Sequence, residues 1–156
     1  MDEAAARSNA ERFLSALGEA VGIADLRFDE HGYCCLGLDD VVLHLEVDSD
    51  GEVVVLWANV GTLPEDPASA FVAGLLEANL YGAMRGGATI AARRGGNIVL
   101  ASRFSLSDST EAFTDRVRRM ADAATNWADR LAAAEAADAN SAPGPTDPAA
   151  FPMMRV

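Results

Sequence analysis

The stretch Leu75-Leu76-Glu77-Ala78-Asn79-Leu80-Tyr81-Gly82, followed by Gly86-Gly87-Ala88-Thr89-Ile90 and then Asn97-Ile98-Val99-Leu100, decides how this chain folds. It reads as a helix ending near Gly82, a glycine break, and two short strands joined through Arg94-Gly95-Gly96. Extended to its full length, the helix starts at an Asp66-Pro67 cap and runs to about Met84. Phe71, Val72, Leu75, Leu76 and Leu80 spread around it, while Ala70, Gly74 and Ala78 form a stripe of small residues at i, i+4, i+8. A helix apolar nearly all round has to be buried on more than one side. A domain this small covers one side with its own sheet, and a second copy of the chain can cover the other. Gly74 costs about 1 kcal/mol against Ala inside a helix. Close helix approach is the natural compensation, so Ala70, Phe71, Gly74, Leu75 and Ala78 are the expected dimer contacts.

Working outward toward the N-terminus, three strands are expected. Glu52 to Val60 carries Val53, Val55 and Trp57 on one face and Val54, Leu56, Ala58 and Val60 on the other. Val41 to Val47 alternates Val41, Leu43, Leu45 and Val47 against Val42, His44 and Glu46. Tyr33 to Leu38 precedes it across an Asp39-Asp40 turn, and Asp50-Gly51 is a two-residue hairpin signal. Apolar residues on both faces of the third strand leave two readings open: a binding surface, or a second face covered by a helix. The first helix places Phe13, Leu14, Leu17 and Val21 on one face and stops at Gly22. It starts either at the capping box of Ser8 and Glu11 or further back, near Asp2.

Toward the C-terminus, Gly87 to Arg93 and Asn97 to Phe104 form a second hairpin. The last helix begins near Asp108 with a seam of Phe113, Val117, Met120, Ala124, Trp127 and Leu131. From about Ala137 the composition turns to Ala, Asp and four prolines, which cannot repay the entropy of ordering. The expectation is one α+β domain over residues 1–136, in the order helix, three strands, helix, two strands, helix, with a disordered tail over 137–156.

The chain has 156 residues, 50% hydrophobic and 6% aromatic, with a net charge of −12; its basic residues are all Arg. Such acidity repels phosphate backbones and anionic membranes, so neither nucleic acid nor a membrane is an expected partner. No apolar run approaches the roughly 20 residues of a membrane helix, and the start, Met-Asp-Glu-Ala, lacks the form of a secretory signal. The charge is uneven: residues 24–66 hold eleven acids and one Arg, a net −10, whereas residues 67–106 carry a net +3. Cys34 and Cys35 are neighbours on a strand and point to opposite faces, so they are expected to be reduced thiols in a cytoplasmic protein.

Chemistry finds no footing. Asp48-Ser49-Asp50-Gly51 lacks the later acidic ligands of a calcium loop, with Asn59 where the twelfth-position Glu should stand. His31, His44 and Cys34 have no zinc spacing, and no nucleophile elbow or phosphate loop occurs. No enzyme, metal or cofactor is expected.

The central block, with its LLxANL helix end, GGAT and strand hairpin, resembles the Tir-chaperone (CesT-like) family of class I type III secretion chaperones. Asp29-Glu30-His31-Gly32-Tyr33-Cys34-Cys35-Leu36 is similar to that family's D-x-x-G-x-C-x-L first strand, and the hairpin at Asp48 to Gly51 agrees. The order and spacing of these motifs carry the resemblance over roughly residues 8 to 134. Arg93-Arg94 stands where many relatives have an acidic or polar turn, and the Pro-rich tail is additional. The resemblance implies a bacterial cytoplasmic homodimer that holds the N-terminal region of one or a few secreted effectors in extended, non-globular form. The alternative is a non-secretion binding or regulatory module of the same fold. Effector contacts are expected on apolar residues of the first sheet half that the helices leave uncovered, with Phe28, Cys34, Leu36, Val42, Val54 and Leu56 as candidates.

Overall fold

The computed structural model describes residues 3–141, apart from positions 66, 68, 85, 86, 93 and 94. The elements are α1 (Glu3–Val21), β1 (Tyr33–Leu38), β2 (Val41–Val47), β3 (Val53–Thr62), α2 (Ser69–Met84), β4 (Thr89–Ala92), β5 (Asn97–Ser105) and α3 (Thr110–Ser141). All five strands form one antiparallel sheet in the order β1-β2-β3-β5-β4.

α1 continues back to Glu3, so Ser8 lies inside the helix and does not cap it. Nearby, the Asn9 amide donates to the Leu106 carbonyl at 3.3 Å, tying α1 to the residue that follows β5. Gly22 ends α1 at φ 75° and the chain folds back on it, Ile23 N–H donating to the Gly18 carbonyl at 2.9 Å. A Cβ on Gly18 would meet the Ile23 oxygen at 2.7 Å, so the strap over this helix end requires glycine.

Asp39, at φ 51°, and Asp40 form the tight β1–β2 turn between the paired Leu38 and Val41. The β2–β3 turn is longer than the two-residue hairpin expected at Asp50-Gly51. Here Asp48 N–H donates to the Val53 carbonyl at 2.9 Å, and the Asp48 carboxylate accepts from the N–H groups of Glu52 and Val53 at 3.0 and 3.1 Å. The side chain satisfies the loop backbone, and Gly51 supplies the positive φ of 69°. β3 runs to Thr62, past a register shift between Asn59 and Gly61.

α3 starts one residue after Ser109, whose hydroxyl accepts from Ala112 N–H at 3.1 Å as an N-cap. It runs to Ser141, beyond the boundary expected at 137. The cap expected at Asp66 and the residues 142–156 lie outside the described residues.

The core fills the space between one face of the sheet and helices α1 and α3. Phe13, Phe104 and Phe113 meet edge to face with centroids 5.1 to 6.2 Å apart, one ring from each of α1, β5 and α3. Leu36, Leu43, Leu45, Val54, Leu56, Ala58, Ile98 and Leu100 complete the sheet side. Both helices lie on this face. Among the described residues no helix lies on the opposite face of β1, β2 and β3, so the helix cover that is one reading of β3's second apolar face is not seen there.

Candidate functional site

Two apolar surfaces are left uncovered, and each follows from the sequence of the element that bears it. The first is α2, whose element contacts lie with β4. Asn79 fixes it there: its amide donates to the Ile90 carbonyl at 2.9 Å while its oxygen accepts from Ile90 N–H at 2.6 Å. The side chain thus takes the place of a neighbouring strand at that point of the β4 edge. Leu75, buried beside this contact, is the helix's anchor in the core. Because apolar residues surround the whole helix, the far side is equally greasy: Leu76, Leu80 and Tyr81 are 65%, 59% and 55% exposed. Exposed large apolar residues in such a cluster mark an interaction surface.

Of the expected dimer contacts, Ala70 and Gly74 are exposed and Phe71 and Ala78 half-buried, so they stay available. Leu75 is the exception and faces the protein's own core. A Cβ on Gly74 would meet nothing within 4 Å. Leu76, Leu80 and Tyr81 were absent from the expected contact set; their positions were readable, but a helix without a polar face does not announce which side points outward.

The second surface is the open face of the sheet. The register aligns Cys35 of β1, His44 of β2, Trp57 of β3 and Ala101 of β5 in a row across it. The His44 ring lies on the Trp57 indole with centroids 3.7 Å apart and planes 11° off parallel, and Tyr33 stacks on the other side of His44 at 5.9 Å. The Tyr33 hydroxyl and His44 Nδ1 share a 2.6 Å hydrogen bond. Burial between the two rings lowers the His44 pKa from its ordinary value and favours the neutral imidazole. Partial desolvation raises that of Tyr33, and its side-chain interaction with Cys35 adds to the shift. Cys34 points the other way, into the core, where desolvation pushes its thiol up to about 11; it is an inert packing residue.

The six residues expected to form an uncovered effector patch divide sharply. Cys34, Leu36, Val54 and Leu56 lie on the closed face under α1 and α3 and are core, and Phe28 is buried in the loop that leads to β1. Phe28 also lines a cleft of about 550 Å³ with Arg7, Glu30, Asp48 and Glu52, between α1 and the β2–β3 turn. Val42 alone of the six is on the open face, 50% exposed. The correction has a simple physical reason: strand parity separates Val42 from the others, and the pairing of Leu45 with Leu56 puts the core of β2 and β3 on the side the helices occupy.

Among the described residues no cluster of His, Cys, Asp and Glu could hold a metal ion, and no helix is long and apolar enough to cross a membrane. What the arrangement offers is surface for binding.

Comparison with known proteins agrees. Tir chaperone of Escherichia coli O157:H7 is 30% identical over 104 residues, 66% of this chain and 66% of that protein. Its counterpart from Citrobacter freundii is 29% identical over the same length. The alignment therefore spans about two thirds of the length of these curated relatives. The fold is shared with the ExsC–ExsE complex (TM-score 0.67, 21% identity, 83% of this chain and 96% of that one). It is also shared with the Yersinia pestis type III secretion chaperone SycH, solved with a fragment of YscM2 (TM-score 0.62, 18% identity, 76% and 98%). Residues 12–128, from within α1 into α3, match the model of the Tir chaperone protein (CesT) family, and the chain belongs to that family.

Proposed function

We propose that this protein is a dimeric type III secretion chaperone that holds the N-terminal region of a secreted effector in extended form and keeps it competent for export. Membership of the Tir chaperone family supports the chaperone role. The observation that carries the dimer is α2, an almost wholly apolar helix beyond the β4 edge that exposes Leu76, Leu80 and Tyr81. A two-fold axis through this helix would cover Ala70, Gly74, Leu76 and Leu80 with the same residues of a second copy. Holding cargo requires no energy source: the ordering entropy of the bound segment is offset by burial of its apolar side chains and by backbone bonding at a free sheet edge. On the edge strand β1 the stretch beyond Tyr33 offers that bonding, since Asp29 already takes the Tyr33 N–H and carbonyl, as Asn79 takes those of Ile90 on the other edge.

Two measurements test the reading. Light scattering on the purified protein at micromolar concentration is expected to give twice the chain's mass, and a monomer would refute the dimer. Pull-down from the native bacterium is expected to retain one or a few larger proteins whose N-terminal region alone suffices for binding. Capture of none, or binding that maps to a folded C-terminal domain, would refute the chaperone assignment.

A further inference from the structure

The open face of β1, β2 and β3 combines two properties that call for one kind of ligand. Its centre is the ring row Tyr33–His44–Trp57, standing on the sheet with His44 flat on the Trp57 indole and Tyr33 tied to His44 by the bond from its hydroxyl. Since His44 occupies one face of the Trp57 indole, the other face is turned away from β2 toward β5, where the register partner is the small Ala101. A flat group can enter there against the ring. The surroundings are acidic: Glu46, the register partner of Tyr33, is exposed on the same face. Asp29 and Glu30, the Asp39-Asp40 turn, and the turn from Asp48 to Glu52 bound the three strands at both ends. Arg103 is also on this face, opposite Val55, and its guanidinium lies 3.9 Å from Asp48.

A wholly apolar ligand laid on this row would gain ring contact but would strip water from the surrounding carboxylates without replacing it. A guanidinium does both tasks. It stacks on aromatic faces, is less strongly hydrated than an ammonium, and pairs with carboxylates. We infer that the Tyr33–His44–Trp57 row is a docking surface for an arginine-bearing extended segment of the bound chain, with a guanidinium stacked on the free face of Trp57 and Glu46 and the acidic turns supplying the counter-charge. This rests on the chaperone reading for the extended state of the ligand, and it adds the ligand's chemistry. The row lies on the opposite side of the sheet from α1 and α3, so neither helix covers it.

The test uses the full chain and three synthetic, unstructured peptides of one length: alternating Arg and Val, and the same sequence with Lys or Glu for Arg. Binding is read by anisotropy of a dye on the peptide, and by Trp57 emission in a Trp127→Phe background, which leaves Trp57 as the only tryptophan. The Arg peptide is expected to bind and to shift Trp57 emission, the Lys peptide to bind several-fold more weakly, and the Glu peptide not to bind. Trp57→Ala is expected to weaken the Arg peptide by roughly tenfold, the scale of a partly desolvated cation–π contact. Because Trp57 is half-buried, Glu46→Arg is measured beside it; this exposed position can change charge without repacking, and a loss of at least several-fold is expected. Equal affinity of Arg and Lys peptides, or binding by Glu46→Arg within twofold of wild type, would overturn the inference. The captured partner separates the two readings. If wild type and Glu46→Arg retain it equally, the row is excluded while the chaperone assignment stands. If wild type retains none, the chaperone assignment fails while the peptide series still decides what the row binds.

Discussion

Val54 and Val42 are the same residue on neighbouring strands of one sheet, and substitution by Asp separates their roles. Val54 is wholly enclosed by the core, so Val54→Asp buries an unpaired carboxylate at a cost of several kcal/mol. We expect it to fail to fold, read by loss of the cooperative thermal transition. Val42 is half in water, so Val42→Asp should melt within about 0.5 kcal/mol of wild type in urea titration. The parity that separates them was legible in the alternation of β2; the side that the helices cover was not, because β3 is apolar on both faces. The ring row is not legible in the sequence for a related reason. Tyr33, His44 and Trp57 share a parity that the sequence displays, but their alignment depends on the length of the β2–β3 loop, which Asp48 sets by capping two backbone N–H groups. His44 gives a second expectation. Its ordinary pKa of 6.5 is lowered in the folded protein, so as pH falls through about 6.5 the unfolded chain takes up the proton first and stability drops. Above that range its contribution is flat. The melting temperature should therefore fall between roughly pH 7 and pH 5, and His44→Gln should remove that step while leaving the later decline in the carboxylate range.

At the scale of elements, α2 differs from the other two helices in a way that governs what can be read from it. The seams of α1 and α3 were legible because their polar residues mark the outer side. α2 has polar residues only at Ser69, Glu77 and Asn79, and Asn79 is used inward, on Ile90. The burial of Leu75 and the exposure of Leu76 are thus set by a single amide that aims the helix, and hydropathy carries no trace of it. This yields a test of the proposed dimer. Leu76→Glu with Leu80→Glu alters two side chains that make no core contact, so the protomer should keep its circular dichroism spectrum while light scattering shifts from dimer to monomer. Gly74→Leu should act in the same direction, costing the assembly about 1–3 kcal/mol by overfilling a close contact while leaving the protomer intact, since nothing of its own chain lies within 4 Å. Loss of secondary structure in the double Glu variant would instead mean that this face supports the fold directly.

For the molecule as a whole, order of elements and sheet class were legible because turns and periodicities are local, whereas the limits of the last helix were less so. Ala-rich sequence carries α3 to Ser141, although the last side chain it buries, among the described residues, is Leu131. Truncation after Ser141 removes four prolines and no described core residue, so the melting temperature should stay within about 4 °C of the full chain, the scale of about 1 kcal/mol in a small domain. A larger drop would show that residues 142–156 contribute to the fold. The clamp of Asn79 on Ile90 finally has a consequence for how copies can add to one another. Endless head-to-tail stacking of sheets needs two vacant borders, one on each flank, so that every newcomer presents the flank that the next requires. Here Asn79 bonds both backbone groups of Ile90 on the β4 flank, and Asp29 does the same at the start of the β1 flank, its N–H donating to the Tyr33 carbonyl at 2.8 Å and its carboxylate accepting from Tyr33 N–H at 2.9 Å. Each border therefore carries a stopper from its own chain, and a newcomer strand laid along either flank would have to displace it before pairing over the full length.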